Sequence, residues 1–304
     1  MIDLNNTIYI TGANGFVGNN LINFLNNFKN NIVRVSSRGK ESNIDNAKIV
    51  IHLAGKSHDL KKVSSHDEYY QVNTELTKQI FDAFLTSDAK VFITLSSVKA
   101  VADEVDGMLT EADIPSPITH YGKSKLLAEQ YILSKEIPEG KRVYVLRPCM
   151  IHGVGNKGNL NLLYDFASKG LPWPLGDFKN SRSYCSIENL CFIIKELIDR
   201  NDIPCGIYNV SDDEPISTNQ VVSLIAESKG KPARVLNLSK SFIKAIARLG
   251  DFLQLPLNTE RLQKLTESYV VSNDKIKRAL GKPLPLTSSE GLRKTFRSFS
   301  SNAQ

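Results

Sequence analysis

The segment Thr7–Gly18, TIYITGANGFVG, decides the fold. Ile8, Tyr9 and Ile10 read as a short apolar strand, and the glycines at 12, 15 and 18 follow in a G-x-x-G-x-x-G run. Each glycine has a steric task. Gly12 makes a sharp strand-to-helix turn, Gly15 lets backbone approach a diphosphate, and Gly18 lets the helix lie close on the sheet. Asn14, Phe16 and Val17 complete the turn and open a helix whose free N–H groups and positive dipole end attract an anion. The segment predicts a dinucleotide site at the edge of a parallel α/β sheet.

Working outward, residues 17–28 place Val17, Leu21 and Leu25 at helical spacing, and NIVRVSS (31–37) reads as the second strand. An Asp or Glu at the end of that strand would bond the adenosine ribose and repel a 2′-phosphate. The chain has Ser36, Ser37 and Arg38 instead. Small hydroxyls and a guanidinium suit a 2′-phosphate, so NADP is expected over NAD, although Arg38 also reads as a solvated cation stacking on adenine. Between Ser37 and Lys48 there is room for one short helix and no further strand. KIVIHL (48–53) reads as a strand buried on both faces. It runs into Leu53, Ala54 and Gly55, residues small enough for backbone to pass close to a cofactor. A helix over 66–86 carries Asn73, and KVFITL (90–95) is another buried strand.

That strand ends at Ser96 and Ser97, where an open α/β sheet presents groups to a ligand. A helix beginning near His120 holds YGKSK, with Tyr121 and Lys125 one turn apart on the same face. A phenol with its ordinary pKa near ~10 is a poor base at neutral pH. An ammonium beside it favours the phenolate, so the spacing predicts a Tyr121 lowered by Lys125. Ser97 can hold the oxygen whose proton Tyr121 handles. On any helix a lone Y-x-x-x-K is a surface pair; here it follows the glycine turn, the HLAG strand end and the Ser-Ser strand end, in working order.

With TGANGFVG, HLAG, YYQVNTELT, LSSVKA, YGKSK and LRPCMIHGVG on the page, the chain resembles an extended short-chain dehydrogenase/reductase of the nucleotide-sugar epimerase/dehydratase group. The resemblance covers nearly the whole length. It implies a Rossmann-type doubly wound parallel sheet with a smaller mixed α/β substrate-binding lobe. Residues 1–152 with 183–210 would form the dinucleotide-binding domain, and 153–182 with 211–304 the substrate lobe. It implies Ser97, Tyr121 and Lys125 as the catalytic set, with Lys125 also holding the nicotinamide ribose and Asn73 supporting the site. Val98, Asn159 and Leu160 match positions that meet the substrate, and Arg182 matches an arginine on the diphosphate, where a fixed fork of donors suits two phosphates. Read without the family, Arg182 is a surface ion pair and Asn159 a helix N-cap. The chain departs from the pattern where Val154 replaces a proline and His152 a tyrosine. A homodimer through the helices carrying Asn73 and Tyr121 is a further implication.

The implied chemistry is hydride transfer at sugar C4. A 4,6-dehydratase needs an acidic pair just after the serine, and Val98 and Lys99 stand there, so that outcome ranks last. The expected NADPH favours a UDP-(N-acetyl)hexosamine 4-keto reductase of bacterial surface-polysaccharide synthesis. A 4-epimerase with retained NAD is the alternative, and a non-catalytic NADP-binding sensor is the reading from another class.

The bulk properties fit this frame. The 304 residues are 41% hydrophobic and 23% charged, enough for one large or two modest domains. A net charge of +6 suits an anionic small substrate or a solvated basic surface, and no basic, aromatic-laced patch suggests nucleic acid. No apolar run approaches the ~18 residues of a membrane span, so no stable membrane insertion is expected. With no basic-then-apolar leader, and with Cys149, Cys185, Cys191 and Cys205 reading as buried thiols, a cytoplasmic protein is expected. The scattered histidines predict no metal. Residues 240–253 form an amphipathic helix, with Phe242, Ile246, Leu249 and Leu253 on one face. The expectation is that this face packs on the core rather than lying on a membrane. The last residues, from Thr295 on, are expected to fray.

Overall fold

The computed structural model describes residues 7–28, 30–35, 44, 46–56, 65–156, 158–253, 255 and 257–301. Strand β1 (Thr7–Thr11) enters the glycine turn and helix α1 (Phe16–Leu25), which closes in a tight turn over Asn26–Phe28. Strands β2 (Asn31–Val35) and β3 (Ile49–His52) follow, and no strand separates them among the described residues. The next helix is compound. A turn of α2 (His66–Tyr69) passes through a widened π segment (Tyr70–Glu75) into α3 (Leu76–Thr86). Then come β4 (Val91–Leu95), the short β5 (Met108–Leu109), α4 (His120–Leu133), β6 (Arg142–Pro148), β7 (Met150–His152) and α5 (Asn159–Ala167). The chain continues through β8 (Tyr184–Ser186), α6 (Ile187–Asp199), β9 (Gly206–Val210) and α7 (Thr218–Ser228). It ends in α8 (Lys240–Leu253), α9 (Thr259–Thr266), β10 (Val270–Val271), α10 (Asp274–Leu280) and α11 (Ser288–Ser301).

The central sheet has the order β2-β1-β3-β4-β6-β9, and every pairing is parallel. Strands β3, β4 and β6 are nearly continuous runs of Ile, Val, Phe and Leu because helices cover both faces. This is the Rossmann-like architecture the glycine turn predicts. One apolar cluster joins one sheet face to α1 and α6, through Leu21, Leu25, Leu190, Ile193 and Leu197. A second lies under α3 and α4 around Phe81, Phe84 and Phe92. Tyr269, Val271, Ile276 and Leu280 pack into the first cluster. A third, separate cluster gathers Tyr164, Trp173, Phe178, Val221, Ile225, Leu262, Leu292 and Phe296.

Local signals set several boundaries. Ser217 caps α7 and Gln220 returns the bond, a reciprocal box that satisfies two orphan donors. Gly281 ends α10 at φ +64°, where a side chain would be strained. Two expectations are corrected. The chain past Thr295 does not fray but continues α11 to Ser301, because Phe296 is fully buried and Thr295 bonds His152 at 2.9 Å. Helix α8 does not bury its Phe242–Leu249–Leu253 face. It packs through Ile243, Ala247 and Gly250, the last so close that a Cβ would lie 1.9 Å from the Leu257 carbonyl oxygen.

Helix α4 is tied to the sheet by charge. Arg147 at the end of β6 donates from Nε to Glu129 Oε1 at 2.9 Å and from Nη2 to the other carboxylate oxygen, and both side chains are almost fully buried. Desolvating two charges is costly, and this pair offsets the cost only as a pair. Replacing Glu129 by Gln strands a buried guanidinium. Denaturant unfolding should show a loss of about 3–5 kcal/mol for that variant, and a loss near zero would show that the pair is not what fastens α4.

Candidate active site

From β1 the chain goes to β2 on one side of the sheet and returns to β3 on the other. The carboxyl ends of β1 and β3 therefore border the crevice where an open parallel sheet binds ligands. Gly12 sits there at φ +67°, and a Cβ on it would lie 2.5 Å from the Ala54 nitrogen and 2.6 Å from the Leu53 carbonyl carbon. A Cβ on Gly18 would lie 2.4 Å from the Gly12 oxygen. These two glycines are demanded by packing. Gly15 differs: a Cβ there would meet the Gly12 oxygen alone, at 3.2 Å. It precedes α1 with no side-chain cap and no acidic residue in the first turn, so the leading N–H groups are left to an anion. That donor set fits a dinucleotide's diphosphate. Phe16 and Val17 are half-buried against the sheet, and Asn14 is exposed.

Arg34, on β2, donates to Asn14 Oδ1 at 3.1 Å. The sequence reading passed over it because it lies inside a strand-like run; the signal was a lone charge among β-branched residues. Ser37 and Arg38, on which the NADP expectation rested, lie outside the described residues, and nothing here supports that preference.

A buried hydrogen-bond chain links the turn to helix α4. Thr77 Oγ1 donates to the Asn73 carbonyl at 2.8 Å, which leaves it to accept from His52 Nε2 at 3.0 Å. His52 Nδ1 then accepts from Thr11 Oγ1 at 2.7 Å, and that hydroxyl accepts from the Ala54 N–H at 3.3 Å. Burial, with Lys125 nearby, holds His52 down to about 3, so the ring is neutral, as these bonds require. Asn73 stands in the π segment. Its carboxamide accepts from the Lys56 N–H at 2.8 Å and donates to the Lys56 carbonyl at 3.1 Å and to Ser124 Oγ at 3.0 Å. Ser124 in turn donates to the Tyr121 carbonyl at 2.8 Å, and Thr74 to the Ser124 carbonyl at 2.7 Å. Thr11, His52, Thr74, Thr77 and Ser124 were not singled out in the sequence, because nothing local marks a buried polar partner.

The expected catalytic residues come together. Ser97, buried, leads a short turn over Val98–Ala100 and accepts the Lys99 N–H at 3.2 Å. A Cβ on Gly122 would lie 2.3 Å from the Lys99 oxygen, so the start of α4 is pressed against this turn. Thr119 caps α4 through Gly122 N–H. Tyr121 lies beside Ser97 and packs edge-on to Tyr69 at 6.2 Å. The expected lowering of its pKa by Lys125 is corrected. Burial pushes the phenol up, Ser97 pulls it down, and Tyr69 adds an upward push. The Lys125 ammonium is turned elsewhere. It donates to the Leu95 carbonyl at 2.9 Å, and a Cβ on Gly55 would lie 3.1 Å from it and 3.2 Å from Asn73 Oδ1. Burial lowers Lys125 to about 8, against an upward pull from Glu129.

The substrate-side candidates are less tightly grouped. The Val98 side chain is in the sheet cluster and that of Leu160 in the third cluster, each 3% exposed. Asn159 is the first residue of α5, and Gly158, bonded by Asn161 Oδ1 at 2.9 Å, is the cap instead. Arg182 donates to the Lys264 carbonyl at 2.6 Å and pairs with Glu267 at 3.3 Å. Lys99 lies close to the same group. Its ammonium donates to the Asp103 carbonyl at 2.6 Å and sits 4.2 Å over the Tyr269 ring. Burial lowers its pKa, Glu267 and Asp103 raise it, and Arg182 lowers it. Tyr269 also pins the turn, donating to the Ala102 carbonyl at 2.7 Å. Two cations therefore stand near the turn that follows Ser97, and Lys99, which the sequence marks only as a departure from the dehydratase pattern, is one of them. Of the cysteines, Cys149, Cys185 and Cys191 are buried and Cys205 is exposed.

Comparison with known proteins agrees with this geometry. The family model described as the NAD dependent epimerase/dehydratase family matches residues 8–211. The chain is 28% identical over 318 residues to a UDP-glucose 4-epimerase of Vibrio cholerae, covering 96% of this chain and 95% of that one. It is 27% identical over 327 residues, with the same coverage, to the N-acetyl-alpha-D-glucosaminyl-diphospho-ditrans,octacis-undecaprenol 4-epimerase of Escherichia coli O157:H7. Among solved structures, MoeE5 in complex with UDP-glucose and NAD superimposes with a TM-score of 0.76 at 21% identity, covering 98% of this chain and 100% of that one.

The neutral His52 makes a prediction about stability. Its pKa is about 3 in the folded chain against 6.5 when unfolded. Between those values the unfolded chain binds a proton that the folded chain refuses, so stability is intact above pH 6.5 and is lost as pH falls toward 3. The full window is worth about 5 kcal/mol. A His52→Gln variant should flatten this part of the acid limb in denaturation curves taken across the window; an unchanged slope would place the protonation elsewhere.

Proposed function

Because the chain belongs to the NAD dependent epimerase/dehydratase family, we propose that it moves hydride at C4 of a diphosphate-linked sugar. The carrying observation is that Ser97 lies close enough to Tyr121 to draw its pKa down, with Lys125 one turn along and its ammonium against Gly55. The best-supported form is 4-epimerisation of a UDP-(N-acetyl)hexosamine with retained NAD. Two full-length relatives are 4-epimerases, and the matched MoeE5 structure holds NAD. The second reading is a 4-keto reductase using NADPH, which rests on the Ser-Ser-Arg sequence after β2 alone.

The division of labour is as follows. The glycine turn and the start of α1 hold the diphosphate of the dinucleotide, and Lys125 and Asn73 border its nicotinamide end. A bound nicotinamide would supply the acceptor and donor for the hydride of sugar C4. Tyr121 takes the proton from the C4 hydroxyl and gives it back, while Ser97 holds that oxygen and favours the phenolate. Lys125 supplies positive charge near the ring. Arg182 and Lys99 offer donors to the substrate diphosphate, which suits a nucleoside carrier or a polyprenyl carrier equally. In this reading residues 1–152 with 183–210 carry the cofactor and 153–182 with 211–304 the substrate. A homodimer forms through the helical run carrying Asn73 and through α4, on which Leu127 and Leu133 are exposed.

The test begins by denaturing the purified protein and identifying the released dinucleotide. Incubation with UDP-glucose or UDP-N-acetylglucosamine should then yield the C4 epimer with no net change in nicotinamide. Consumption of NADPH on a 4-keto sugar would select the reductase instead, and turnover in neither assay would remove the proposal. Tyr121→Phe should lower kcat by about 10²–10⁴-fold while leaving dinucleotide release unchanged. The kcat/KM profile should fall as pH rises through about 8, where Lys125 loses its proton. A flat profile to pH 10 would show that its charge is dispensable.

A further inference from the structure

Helix α8 carries two faces of opposite use. Ile243, Ala247 and Gly250 bind it to the body of the protein. At ~100° per residue, Phe242, Ala245, Ile246, Leu249 and Leu253 share an arc of about 100° pointing away from that seam, with Phe252 at its edge. Phe242, Leu249 and Leu253 are more than half exposed, and Phe252 is 85% exposed. Leu255, just beyond the helix, is also exposed. Six large apolar residues in one short stretch form a patch of the kind that marks a binding surface.

The charges beside the stripe select the occupant. Lys240, Lys244 and Arg248 follow one another along the flank between the apolar arc and the packed seam, and all are exposed. The lone acid of α8, Asp251, is taken up by Thr259, whose N–H and hydroxyl both donate to it. The helix therefore presents Phe and Leu on one side and three cations against one acid along the border, which is how a helix lies in the interface of a bilayer with anionic headgroups. Its 14 residues span about 21 Å, too short to cross the hydrocarbon core. The face is distinct from α3 and α4, so the homodimer proposed above leaves it free.

We infer that α8 docks this protein on an anionic lipid surface, its Phe242–Leu249–Phe252 stripe in the acyl boundary and Lys240, Lys244 and Arg248 on the headgroups. The docking places the substrate side near the membrane. Arg182 donates to the Lys264 carbonyl at the end of α9, and α9 packs against α8. The inference stands on α8 itself and does not depend on which carrier the sugar has.

The test is flotation of the full chain with vesicles of phosphatidylcholine alone or with added phosphatidylglycerol. The wild type should float with the anionic vesicles only, less so as salt rises. Leu249→Ser with Phe252→Ser should weaken binding more than about tenfold, since each large apolar side chain is lost from the bilayer. Lys244→Gln with Arg248→Gln, which leaves the stripe intact, should weaken binding to anionic vesicles and reduce its salt dependence. Both variants should turn over a water-soluble UDP-sugar as the wild type does. No flotation with anionic vesicles overturns the inference. So does equal flotation of the Leu249/Phe252 variant, or a wild-type oligomer in sedimentation that this variant dissolves, since a second copy would then cover the face. Intact turnover without vesicle binding sinks the docking alone, and vesicle binding without turnover sinks the proposed reaction alone.

Discussion

The carboxamide of Asn73 is the joint on which the site depends. It receives the Lys56 N–H just past β3 and gives its own protons to the Lys56 carbonyl and to Ser124 on α4. The cofactor-side loop and the Tyr121–Lys125 helix therefore share one fully buried side chain. The π segment around it widens the helix at this position, an arrangement that often marks a functional site. A regular helix over 66–86 would turn every following side chain by a fraction of a turn, and the three contacts would not converge.

Around that joint the structure stacks polar groups that are costly to bury unless satisfied. His52 is the clearest case. Its two ring nitrogens are spoken for by Thr11 and Thr77, and the direction of each bond is fixed by what the threonines already do. A single neutral tautomer results, carrying order from the glycine turn to the helix that holds Asn73. Glu129 and Arg147 play the same part for α4 and β6, and Glu129 also keeps the nearby Lys125 from losing its proton at still lower pH.

Burial has a second consequence. It raises the Tyr121 phenol and lowers the Lys125 ammonium, so both groups resist ionisation in the protein alone. Desolvation here outweighs the pairwise attraction that their spacing suggests. A ligand that brings its own charge and excludes more water alters both terms at once. In α8 the seam of Ile243, Ala247 and Gly250 is sealed against the body of the protein, and the side carrying Phe242 and Phe252 is exposed.

The glycine run, the apolar strands and the Y-x-x-x-K spacing fixed the sheet class and the place of the crevice, and singled out Ser97, Tyr121 and Lys125 as candidates. These are local facts: a left-handed turn at Gly12, strands apolar on both faces, and one helical turn between two side chains. The short interval after Ser37, which the sequence reads as too short for another strand, lies mostly outside the described residues. Tertiary structure alone decided where the Lys125 ammonium points, that His52 is locked neutral, that Lys99 joins Arg182, that α11 is held to its end by Phe296, and which side of α8 faces out. Periodicity can say that a helix has an apolar face, but a buried hydrogen bond between residues 50 apart, or a Gly250 pressed on Leu257, exists only once distant segments are brought within reach.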